Sequence, residues 1–139
     1  MARTPLLLRV DAVTVPVPDL DSGLRFYRDA LGHTLLWRND EIGQAGLALG
    51  DGDSEIVLTT RRPYEPNWLV ASAEDAARAV LRAGGRIVTE PFDIPVGRGT
   101  VVVDPFGNTL VLLDLSKGVY TTDDHGAVTG VADPERRTD

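Results

Sequence analysis

The sequence has no cysteine, a single methionine and a single lysine, and its aromatic side chains are only two Trp, three Tyr and three Phe in 139 residues. Absence of cysteine excludes disulfides, thiolate nucleophiles and Cys-ligated zinc together. No apolar run approaches the roughly 20 residues that a membrane span requires. The apolar stretch in "MARTPLLLRVD" is far shorter than a signal peptide's and has no small-residue cleavage site, so the expectation is a cytoplasmic protein without a membrane partner. Positive charge is also scarce. Fourteen Lys and Arg face 21 Asp and Glu, giving a formal charge of -7 and a pI near 4.7. Nucleic acid is therefore not an expected partner, because phosphate binding needs clustered cations. The same balance mildly favours a cationic small molecule, although solubility alone is the plainer explanation. Lys117 apart, every basic residue is Arg, which reads as the codon bias of a GC-rich, actinobacterial type of genome.

What is present is ordinary for a globular protein: 42% hydrophobic and 25% charged residues. The length suits one domain, residues 1–139, with a real core. Val13, Val15 and Val17 alternate with Ala12, Thr14 and Pro16 as in a strand. Asp19 then stands as an N-cap, Leu20, Leu24, Tyr27 and Leu31 recur at helical spacing, and Gly32 supplies the stop. Three short strand candidates follow, "HTLLWRN", "AGLALG" and "SEIVLTT".

The pattern then repeats. A shift of 53 positions lays Val15 and Val17 on Trp68 and Val70, Asp19 on Ser72, and the helical stripe on Ala73, Ala77, Val80 and Gly84. Strands recur as "GRIVTE", "GTVVV" and "TLVLLDL", the last matching at a shift of 54, which lays Val57 on Val111. Two copies that differ by a single one-residue gap govern the fold. The expectation is an α+β fold of tandem βαβββ modules, about residues 8–62 and 65–115, each with one helix outside a curved, incomplete mixed β-barrel around a cleft. Residues 116–139 form an extension without a repeat partner, in which "VYTT" and "AVTGV" flank "DDHG" as a hairpin and the last residues are loose.

At this point the chain resembles the vicinal oxygen chelate superfamily, which includes glyoxalase I, extradiol dioxygenases and bleomycin-resistance proteins. The resemblance rests on "VDAVTVPVPDLDSGLRFYRDALG", "ASAEDAARAVLRAGG" and "DPFGNTLVLLD" and spans roughly Val10 to Leu115. It implies the fold, and it implies that the enzymes' divalent-metal ligands fall on Ala12, Val57, Glu65 and Val111. Three of these have no ligand atom, and a lone carboxylate binds a divalent ion weakly. Glu65 is thus the only surviving metal candidate, and no metal or other cofactor is expected. His33 and His125 lack the spacing of a metal pair and read as structural or solvated.

If that register holds, Ala12, Thr14, Val57, Thr59, Glu65, Asn67, Leu69, Thr109, Val111 and Leu113 share the inner face, an apolar surface with a few hydroxyls and one amide. Trp37, Tyr64, Phe92 and Phe106 are the aromatic candidates for stacking on a ligand, with core or loop packing as the plainer role. Trp68 falls on the helix side and reads as core. Arg38 and Arg98 are candidates to orient a ligand acceptor, although a surface ion pair is the commoner role. The leading functional expectation is a metal-free, noncatalytic protein of the bleomycin-resistance type. It would sequester an aromatic or polycyclic natural product and, as the resemblance implies, act as a homodimer. The alternative is an enzyme of the same fold, with misaligned metal ligands or with an acid and base drawn from Glu65, Glu90 and Asp114.

Overall fold

The structure is a computed structural model that describes residues 4–133. The element order is β1 (Arg9–Pro16), α1 (Leu20–Leu24), a π-helix (Arg25–Ala30), β2 (Leu35–Asn39), β3 (Gln44–Ala48), β4 (Glu55–Thr59), β5 (Glu65–Leu69), α2 (Ala73–Arg82), β6 (Arg86–Ile94), β7 (Gly97–Val103), β8 (Thr109–Asp114), β9 (Val119–Thr122) and β10 (Val128–Ala132). Two compact units result. The first takes residues 11–66 and 120–130, and the second takes 4–10, 67–119 and 131–133. The expected loose chain end falls on residues 134–139, outside the described range.

Within the first unit the strands run in the order β2-β3-β4-β1, with β1 parallel to β4 and the others antiparallel. The second unit repeats this as β6-β7-β8-β5, with β5 parallel to β8. The repeat holds at the level of register. Thr14 pairs with Val57 in the first unit, and Asn67 pairs with Val111 in the second, the positions that the shifts of 53 and 54 predict.

Each sheet covers one face with its helix. In the first unit Leu20, Leu24, Ala45, Leu47 and Leu58 form the buried core, flanked by Val15, Val17, Tyr27, Leu35 and Ile56. In the second, Val70, Ala76, Ala77, Val102 and Leu112 do so, with Trp68 and Val80 against them. Trp68 is therefore a core residue, as its place in the repeat predicts. The period-two rule leaves the ligand-position side chains on the opposite faces.

The first helix departs from expectation. Asp19 caps it by accepting from Ser22 N at 2.7 Å, but after Leu24 the chain widens into the π-helix, with Leu31 N donating to Phe26 O. A π turn inserts an extra residue into the helical count, so the 3.6-residue stripe loses phase. Leu20 and Leu24 are buried, whereas Leu31 is 53% exposed instead of continuing the core stripe.

Candidate functional site

On the face of the first sheet away from its helix, register aligns Trp37, Gly46, Val57 and Thr14 in one row. A β-bulge between Leu35 and Trp37 makes this possible. Leu35, opposite Leu47, packs into the core, while Trp37, two residues later, lies opposite Gly46 on the other face. Without the bulge both would point the same way. Gly46 leaves room for the indole, since a Cβ there would overlap Trp37 Nε1 and Cε2.

The indole is fixed at both its edge and its ring. Nε1 donates to Glu55 Oε1 at 2.9 Å. Glu55 pairs with Ala12 and Ala48, so it shares the face of Val57. The Tyr120 ring lies 4.7 Å from Trp37, centroid to centroid, with the planes inclined by 42°. Burial raises the Tyr120 phenol pKa, a hydrogen bond with the Asn39 side chain draws it back, and the nearby Glu55 charge adds to the rise. Tyr120 belongs to the C-terminal extension. Its hairpin docks on β2 through Arg38 N donating to Gly126 O at 2.8 Å and a parallel bridge between Arg38 and Ala127. Asp123 closes the hairpin tip by accepting from His125 N and Ala127 N, which holds its carboxyl below the ordinary range.

The remaining sequence-derived candidates divide by what already occupies their polar atoms. Thr14 Oγ1 lies 2.7 Å from Pro63 O and 3.1 Å from Glu65 O, and Thr59 Oγ1 accepts from Arg61 N and Arg62 N, so both hydroxyls are engaged by backbone. Arg38 is clamped between Asp40 at 2.7 Å and Asp21 at 2.9 Å, and these carboxylates raise its pKa further. Tyr64 and Phe106 stand out in solvent, 73% and 86% exposed.

In the second unit Asn67, Val111 and Val101 share a row, next to Leu69, Leu113, Gly99 and Phe92. Phe92 lies against Gly99, where a Cβ would meet the ring at 3.0 Å, the same aromatic-over-glycine device as Trp37 and Gly46. Asn67 is 8% exposed. Arg98 pairs with Asp93 at 3.1 Å and Glu74 at 3.2 Å. Asp114 is structural: Oδ2 accepts from Ala73 N at the start of α2, and Oδ1 accepts from Arg98 N, Ser116 N and Ser116 Oγ. Burial opposes its ionisation, but these donors outweigh it and hold the carboxyl below its ordinary range.

The positions that the resemblance assigns to metal ligands carry no adequate donor set. Ala12, Val57 and Val111 have no coordinating atom, and Glu65 Oε2 accepts from both Nε and Nη2 of Arg62. His33 Nδ1 lies 3.0 Å from Ala48 O, and its ring is thereby tied to the sheet. Among the described residues, no group of three or more His, Cys, Asp or Glu is placed to hold a metal ion. The residues present do not fit the divalent centre of the fold's enzymes.

Sequence reading missed Glu55, Asn39 and Tyr120. Glu55 was reachable, because the alternation that marks Val57 and Thr59 extends two residues back to it. Tyr120 carried no such signal, since it lies outside the repeat.

Known proteins place the fold. The chain is 39% identical over 98 residues to "Putative glyoxylase CFP32" of Mycobacterium bovis and of Mycobacterium tuberculosis, matching 65% of this chain and 37% of those proteins. It therefore spans little more than a third of these curated relatives. Methylmalonyl-CoA epimerase from Mycobacterium tuberculosis superposes with a TM-score of 0.65 at 25% identity, covering 82% of this chain and 92% of that one. A Streptomyces coelicolor methylmalonyl-CoA epimerase variant in complex with 2-nitronate-propionyl-CoA shares the fold, with a TM-score of 0.62 at 24% identity over 78% of this chain and 97% of that one. A profile of the Glyoxalase/Bleomycin resistance protein/Dioxygenase superfamily matches residues 9–112, and the chain belongs to that superfamily.

Proposed function

We propose that this protein is a metal-free small-molecule binder that sequesters an aromatic or polycyclic natural product. What supports the reading is that the positions the resemblance assigns to chelation, Ala12, Val57 and Val111, are apolar, on sheet faces of which the first presents a fixed indole. A chelated, charged intermediate has no partner on such a surface. A flat ring gains dispersion and stacking from it. This reading favours Trp37 and Val57 in the first unit and, separately, Asn67, Val111, Leu113 and Phe92 in the second as ligand-contacting candidates, and a homodimer is the proposed assembly. Thr14 and Thr59 support the sheet and its turn more than they offer donors.

The test is titration of the full chain with a bleomycin, an anthracycline, a mitomycin and an enediyne, followed by tryptophan fluorescence. Saturable quenching by one class supports sequestration. Absence of quenching with all four counts against it.

A second reading is enzymatic, favoured by the names of the relatives, a glyoxylase and methylmalonyl-CoA epimerases. Turnover of methylmalonyl-CoA by the purified protein, unchanged by added chelator, would establish it.

A further inference from the structure

We propose that the C-terminal hairpin, β9 and β10, is a detachable cover on the first sheet: it lifts from β2 as one body while the sheet beneath stays folded, and its lifting bares the indole of Trp37. The proposal goes beyond the binding reading above and stands without it. Firm bonding within the hairpin is the first observation. β9 and β10 form a two-stranded sheet of their own. The Thr121 and Thr129 hydroxyls lie 2.9 Å apart across it, and Asp123 closes the tip by accepting from His125 N at 2.8 Å and from Ala127 N at 3.0 Å. At the base the two legs lie side by side. Gly118, at a φ of +127°, approaches Ala132 so closely that a Cβ would overlap the Ala132 carbonyl oxygen. A segment whose chain leaves and returns at one place can turn there as a unit.

Light fastening to the sheet is the second. None of residues 119–133 is buried, and the cores of both units are built from other parts of the chain. The hairpin meets β2 through the bond from Arg38 N to Gly126 O, the adjoining bridge to Ala127, and the Tyr120 ring against Trp37 with its hydrogen bond to the Asn39 side chain. A two-stranded hairpin is marginal by itself, and elements with few buried apolar contacts open well below the free energy of global unfolding. The sheet does not depend on it, since Leu24, Leu47 and Leu58 pack on the opposite face. Trp37 would also stay in place, because Gly46 beneath it and the bond from its Nε1 to Glu55 belong to the sheet. For the binding reading, the consequence is that a ligand stacking on this indole takes the place of Tyr120.

The experiment is native-state hydrogen exchange of the full chain in low concentrations of urea, with no ligand added. The amide of Arg38, whose acceptor is on the hairpin, should exchange roughly a hundredfold faster than the amides of Leu47 and Leu58 in the interior strands β3 and β4. Its rate should barely respond to urea, because lifting the hairpin exposes little surface. Tyr120→Ala removes the ring contact, so it should speed the Arg38 amide about tenfold further and leave Leu47 and Leu58 unchanged. Tyr120→Phe keeps the ring and should stay close to the native sequence. Exchange of Arg38 at the rate of Leu47 and Leu58 overturns the inference, since the hairpin would then leave only together with the sheet. A Tyr120→Ala variant in which all three amides speed up together, or in which the fold is lost, overturns it as well. These outcomes leave the binding reading untouched, because no ligand takes part in them.

Discussion

The indole of Trp37 lies directly against the bare Cα of Gly46 on the neighbouring strand, leaving no space for a side chain there. Gly46→Ala should therefore expel the indole from its place and break its bond to Glu55. Overpacking of this kind costs about 1–3 kcal/mol. The expected result is a lower urea midpoint with a red-shifted Trp emission. An unchanged spectrum would show that the ring is not held by this contact.

Asp114 ties β8 to the first turn of α2 and to β7 at once. Asp114→Ala leaves buried backbone donors without an acceptor, and about 3 kcal/mol of stability should be lost. The pH dependence has a definite sign. The folded carboxyl titrates below its ordinary value of 3.8, so its contribution is fully present above that value and fades as the pH falls through the lower, folded one. Denaturant midpoints measured from neutral pH down to acid should fall more steeply for the native sequence than for Asp114→Asn.

Trp68 sits against the second core, and its Nε1 is buried with no partner among the described residues. Trp68→Phe removes no hydrogen bond, so it should cost less than the about 3–5 kcal/mol of a Trp→Ala truncation and leave Trp37 as the single fluorescent reporter. Thermal melts of the variant check this.

Thr59 holds the turn after β4 by accepting from two successive backbone N–H groups. Thr59→Val is the same shape without the acceptor, and should cost about 1–3 kcal/mol of stability. Ligand affinity should stay nearly constant. A loss of affinity at unchanged stability would instead place the hydroxyl on the ligand.

The repeat made most of the architecture legible, because period-two and helical patterns report burial directly and a duplicated pattern reports it twice. Thr14↔Val57 and Asn67↔Val111 pair as the shifts require. Two features lay beyond such patterns. The π-helix after Leu24 reflects a change of hydrogen-bond partner that side-chain spacing does not encode, so Leu31 reads as core and proves exposed. The bulge at β2 reverses Trp37 relative to Leu35, and a single strand shows no bulge until its partner is known. Of the site, the apolar character of Ala12, Val57 and Val111 was plain in the sequence, while their role as metal positions is what the resemblance implies. Tyr120 was not, since nothing within the hairpin's own residues states which strand it docks on. For Arg38 and Arg98 a surface ion pair is the commoner role, but the particular partners were not legible, since one carboxylate of each pair, Asp21 and Glu74, comes from a distant part of the chain.

The most direct measurement is metal content of the purified full chain, followed by calorimetric titration with Mn, Fe, Ni and Zn salts. With Ala12, Val57 and Val111 at the chelating positions and Glu65 held by Arg62, the account predicts far less than one bound ion per chain and no saturable heat. A near-stoichiometric ion, lost together with activity on chelation and restored on its return, would contradict it.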